Sequence, residues 1–148
     1  MDFLLEGINS VYDAVKSKAF SKIGDSLANL IFSLSQAKYS SDKLGRGNID
    51  FKGTPKVSAK ILKNALAQAK ESTNFPISIK GDAHAIGDAV EAIIAYAWVT
   101  KLIIIEESVE MLSREINAKK PEKLREEWEA YANGFSRILE SIFNKLQQ

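Results

Sequence analysis

The 148-residue chain is 45% hydrophobic and 26% charged, a balance that excludes a disordered or membrane-embedded protein and suits one globular domain, expected over residues 1–148. Twenty Lys and Arg against 19 Asp and Glu leave a net charge of +1, so no global positive field draws the chain to nucleic acid, and any such contact must be local. With no cysteine, disulfides, thiolate metal sites and cysteine nucleophiles are excluded.

The first twenty residues hold acids from Asp2 onward and lack both a basic start and an unbroken apolar run, so no secretory leader is expected. The longest apolar stretch, residues 90–105, is interrupted by Glu91, Thr100 and Lys101 and falls short of a bilayer-spanning helix. The expectation is a soluble, cytoplasmic protein with no membrane partner.

In chain order, Phe3, Leu4, Ile8, Val11, Tyr12 and Val15 recur at helical spacing and predict an amphipathic helix over residues 3–16, weakened at Gly7. Phe20, Ile23, Leu27, Leu30, Ile31 and Leu34 form the apolar stripe of a second helix over 17–38, with Asp25, Asn29 and Ser33 to one side. Residues 39–54 collect Ser, Asp and Gly without helical period and read as a long, locally basic loop. Thr54 and Pro55 suit the start of a third helix reaching residue 70, with Lys56, Lys60, Lys63 and Lys70 along it.

Pro76 and Gly81 break the next segment, and Asp82 is placed to cap a fourth helix over 83–99. That helix is apolar around most of its circumference, which requires burial on nearly all sides or at a subunit interface. A fifth helix starts near Glu106, after an Ile103-Ile104-Ile105 corner, and a sixth follows Pro121 with Leu124, Trp128, Tyr131, Phe135, Ile138, Ile142 and Leu146 as its stripe. No strand alternation of useful length is present. The fold class expected is all-α with about six helices.

The chemistry centres on Asp88 and Glu91, three residues apart on the apolar fourth helix and therefore on one face. A carboxylate is costly to bury unless it is paired or holds a cation. A purely structural placement, favourable to the dipole at the helix start, accounts equally for this pair taken alone. Asp25 repeats the context: Ile23-Gly24-Asp25 matches Ile86-Gly87-Asp88. Two such segments meet the need of phosphodiester cleavage for carboxylates converging from different elements onto metal and water.

Ile23-Gly24-Asp25-Ser26 resembles the Leu-Gly-Asp-Ser segment that ends the signature of the ribonuclease III family. Asp88-Ala89-Val90-Glu91-Ala92-Ile93-Ile94 is similar to the family's second acidic motif, and Lys56-Val57-Ser58-Ala59-Lys60, with Leu62 to Ala69, to the helix between them. Three motifs in family order, over about residues 20–109, carry the resemblance. It implies a helical endonuclease domain that works as a homodimer on double-stranded or structured RNA. It also implies that Asp25, Asp88 and Glu91 are catalytic and hold Mg²⁺ (or Mn²⁺), with Asn29 and His84 contacting the acids or a phosphate rather than the ion.

The chain departs from the pattern where the family has a glutamate four residues before its aspartate. Ser21 stands there. A further family acid about twenty residues after that aspartate meets Gly45 and Arg46, with Asp42 or Asp50 as distant substitutes. No double-stranded-RNA-binding domain is expected after the last helix, which resembles the stand-alone mini-ribonuclease III group. RNA contacts are then expected from Lys43, Arg46, Lys52, Lys56 and Lys60, since phosphate contacts supply most affinity for a duplex read by shape. A solvated lysine-rich face is the plainer account of any one of them.

His84, Asp88 and Glu91 share one helical face, but a transition-metal site needs further committed ligands. Trp98, Trp128, Tyr131 and Phe135 suggest base stacking, yet among Ile and Leu at helical spacing they are expected in the core. Residues 45–53 do not match a phosphate-binding glycine loop. Beside the endoribonuclease stand two alternatives: an inactive relative that binds structured RNA, motivated by Ser21, and a helical homodimer that serves as a protein-interaction module.

Overall fold

The computed structural model describes residues 1–45, 47–53 and 56–148, without the side chains of Lys43 and Leu44. Among them the chain forms a 3-10 turn (Asp2–Leu5) and α-helices α1 (Val11–Ala14), α2 (Lys18–Leu44), α3 (Ala59–Thr73), α4 (Ala83–Val99), α5 (Ile105–Lys119) and α6 (Leu124–Leu146). No strand occurs among the described residues. Among the described residues no helix is long and apolar enough to cross a membrane.

The capping chemistry explains most boundaries. Asp82 accepts the Ala85 N–H at 3.0 Å and starts α4 where expected. The helix foreseen over residues 3–16 is instead split, because Gly7 adopts φ +78° and Ser10 caps a new start at Val11. Phe3 therefore leaves the apolar stripe and is 74% exposed. α2 runs six residues past its expected end and absorbs much of the foreseen loop. α3 begins at Ala59 behind the cap Ser58, whose Oγ accepts the Lys60 N–H at 3.2 Å, rather than at residues 54 and 55, which lie outside the described residues.

α4 is the central helix, buried at Gly87, Ala89 to Ala95, Ala97 and Val99, and it packs on α2, α3 and α1. Its all-round apolar character is thus satisfied within one chain. α6 packs on α3 and α5 through Phe135, Ile138, Leu139, Ile142 and Phe143, each essentially inaccessible. The Phe75 and Phe143 rings stack at 4.5 Å, and Phe32 meets Tyr131 edge-on at 4.6 Å. Ile103 is buried in the corner between α4 and α5, as its sequence predicts.

The contact that positions the site is the crossing of α2 and α4. An ideal Cβ added to Gly24 would lie 1.7 Å from the Glu91 carbonyl oxygen and 2.8 Å from its Cα. Backbone meets backbone there, so only glycine permits the approach. A Gly24→Ala change must push two core helices apart. It is expected to destabilise the fold by at least about 1–3 kcal/mol, read as a lower thermal midpoint; an unchanged midpoint would disprove the close crossing.

Candidate acidic site

Gly24 against Glu91 fixes the neighbours of both. Asp25, next on α2, and Glu91, on α4, bring their carboxyl groups within hydrogen-bonding reach, while Asp88, one turn earlier on α4, adds its charge from an exposed position. Of the three acids singled out from the sequence, Asp25 and Glu91 therefore meet from two helices distant in sequence, and Asp88 acts on that pair through its charge alone. Glu91 lies deepest at 6% exposure, Asp25 is half-buried, and Asp88 stands at the rim.

Burial pushes the Glu91 carboxyl up to about 8; its hydrogen bond with Asp25 and the charges of Asp25 and Asp88 push the same way, and Lys56 opposes them. At neutral pH Glu91 holds a proton shared toward Asp25. Among the described residues, no group of three or more acids and histidines stands in an arrangement that could hold a metal ion as it is.

Asn29 ties the site to α3. Its Nδ2 donates to Asp25 Oδ1 at 3.2 Å, and its Oδ1 accepts the Val57 N–H at 2.8 Å. The amide thus fixes Asp25 and, through Val57, anchors the segment that presents Lys56 beside Glu91. Lys56, foreseen as an RNA contact, is from this geometry a neighbour of the acids, a role that the sequence does not reveal. Only the spacing of the Lys56-Val57-Ser58 segment ahead of α3 hints at it.

The other candidates scatter. His84 is exposed in the first turn of α4. Lys52 is highly exposed and pairs with Asp50 at 3.7 Å. Lys60 lies beyond the cap of α3 and lines a groove between α3 and α6. The Lys43 side chain and Arg46 lie outside the described residues. Ser21, in place of the glutamate, is half-buried one turn before Asp25.

Tyr131 and Phe135 are core residues as expected, and Trp98 is half-buried. Trp128 is not: it is 40% exposed, and Leu124 is 66% exposed. The apolar stripe of α6 overruns the packed core at its N-terminal end, where no neighbouring helix covers it. Sequence periodicity shows where a stripe runs, not where its partner stops.

A model of the ribonuclease III family matches residues 18–148, from the start of α2 to the end of the chain, both acid-bearing helices included. No curated protein is significantly similar to the chain.

The raised Glu91 pKa fixes the sign of a pH effect. The folded value near 8 lies above the ordinary 4.5, so between these limits the folded state binds more protons than the unfolded one. Stability is full below pH 4.5 and falls as pH rises toward 8, by at most about 1.4 kcal/mol per pH unit. Urea denaturation at pH 5 and pH 8 is expected to show a lower midpoint at pH 8, and Glu91→Gln to shrink the difference. Equal pH dependence in the two proteins would refute a buried, protonated Glu91.

Proposed function

Because the chain belongs to the ribonuclease III family, we propose that it is a metal-dependent endoribonuclease that hydrolyses phosphodiesters in double-stranded or structured RNA and acts as a homodimer. The observation that carries this reading is the meeting of Asp25 and Glu91, from two helices, beside the exposed Asp88.

The donor chemistry suits a hard divalent ion. Asp25, Asp88 and Glu91 offer only carboxylate oxygens, with no thiolate and no paired histidines, which favours Mg²⁺ or Mn²⁺ over zinc or copper. Burial first, and then the neighbouring Asp25 and Asp88, keep the Glu91 carboxyl from ionising freely, a condition that a cation would relieve. Bound there, such an ion lowers the pKa of a water and shields charge developing on phosphate oxygens.

The chain's own residues supply the rest. Glu91, Asp25 and the exposed Asp88 would hold such a cation, with Glu91 then ionised. Asn29 keeps Asp25 oriented through the contact that it already makes. Lys56, exposed beside the acids, meets a phosphate of the scissile strand.

A second reading, an RNA-binding relative that does not cut, is favoured by Ser21 in place of a glutamate and by the lack, among the described residues, of a preformed ligand cluster. One experiment separates the two. Long double-stranded RNA incubated with the protein in Mg²⁺ or Mn²⁺ is expected to be cut, and Asp25→Asn or Glu91→Gln, checked for folding by circular dichroism, to slow cutting about a hundredfold or more. Cutting that survives both changes would remove the proposed mechanism, while duplex retention without cutting in either metal selects the binder.

A further inference from the structure

The groove between α3 and α6 encloses about 710 Å³, enough for an unpaired nucleobase with its sugar and phosphate. Its lining is mostly apolar, Leu124 and Ala67 included, with polar side chains along both helices. Trp128 presents a 40% exposed indole. Lys60, Asn64 and Gln68 repeat every four residues along α3 and so share one face, opposite Arg125 and Asn133 of α6. Ile61 and Ala132, both buried, close the floor.

The charge favours an anion. The single acid in the lining, Glu129, is already met by Arg125 at 3.7 Å and by Lys119 at 3.9 Å, which leaves Lys60 without a carboxylate partner among the described residues. The position favours the RNA handled at the acids. Ala59, the residue before Lys60, packs against Gly87, one turn ahead of Glu91 on α4. The first turn of α3 therefore borders both the acidic site and the groove, with Lys56 on one side and Lys60 on the other.

An exposed aromatic beside cations and amide side chains is the chemistry that recognises unpaired bases: the ring stacks, the cations meet phosphates, and Asn and Gln reach base edges. We propose that the α3–α6 groove binds a single-stranded segment of RNA leaving the duplex at the acidic site, with one unpaired base stacked on Trp128. This rests on the RNA-directed reading above and adds a substrate feature to it: a preference for duplexes with unpaired extensions.

The test compares blunt RNA duplexes with otherwise identical duplexes carrying a single-stranded tail with one 2-aminopurine, bound by the full chain in EDTA so that nothing is cut. The tail is expected to tighten binding about tenfold, the weak end of what one stacked base contributes, and to quench the 2-aminopurine. Trp128→Ala should abolish the gain and the quenching while blunt-duplex binding stands, and Trp128→Phe should keep part of both. Lys60→Gln should reduce the gain and its salt dependence.

Blunt duplex bound with no gain from the tail, or a gain that survives Trp128→Ala, overturns the groove proposal and leaves the RNA reading intact. If neither duplex binds, in EDTA or with Mg²⁺ restored, both fall. A Trp128→Ala change that alters the oligomeric state in sedimentation, with tail preference unchanged, places a second copy of the chain in the groove and also overturns the proposal.

Discussion

Everything at the acidic site follows from one steric fact: α2 and α4 cross where Gly24 has no side chain. With the Glu91 carbonyl where a Cβ of residue 24 would lie, the next residue on α2, Asp25, is carried close enough for its carboxyl to reach that of Glu91. The acids meet because the helices must pack, and the helices pack closely because α4 is apolar around most of its circumference and seeks contact on every side. A larger residue at 24 would separate the carboxyls before it altered any charge.

That closeness has an electrostatic consequence. A carboxyl at 6% exposure beside another acid cannot be ionised freely, and the chain offers three partial answers: a proton on Glu91, the Asn29 amide on Asp25, and the ammonium of Lys56 nearby. These hold the site together without a bound ion. They also explain how the fold accepts Ser21. A serine one turn before Asp25 adds no further carboxylate to the repulsion at the crossing.

The all-helical fold, the extent of α4 with its Asp82 cap and the convergence of Asp25 with Glu91 were legible in the sequence, because each rests on a periodic apolar pattern or on a short motif at fixed spacing. The failures cluster at positions decided by contacts that no local pattern encodes. Gly7 reads as a mild helix weakener but sits at positive φ and ends the segment. Ser58 caps α3 because its hydroxyl reaches the Lys60 N–H while Val57 is held by Asn29 from α2, a bond spanning 28 residues. Trp128 and Leu124 obey the period of α6 yet lie past the last element able to cover them. Lys56 and Lys60, four apart, read as one basic stripe; the cap between them sends one to the acids and the other to the groove.

Net charge sharpens what RNA recognition by such a molecule requires. At +1 overall, counterion release from a broad basic face cannot supply the affinity, since that contribution scales with the number of phosphates neutralised. Of the described cations Lys56 lies near the acids, and six others sit in surface pairs, such as Lys38 with Glu110 or Arg137 with Glu115 and Glu140. On the proposed reading, affinity must come from contacts that a uniform duplex backbone does not offer: an ion shared between the acids and a phosphate, base stacking at an exposed indole, or two copies of the chain engaging one RNA so that weak contacts act together. Each of these discriminates among RNAs where a positive field would not. On that reading, a chain so nearly neutral gives up general affinity for selectivity.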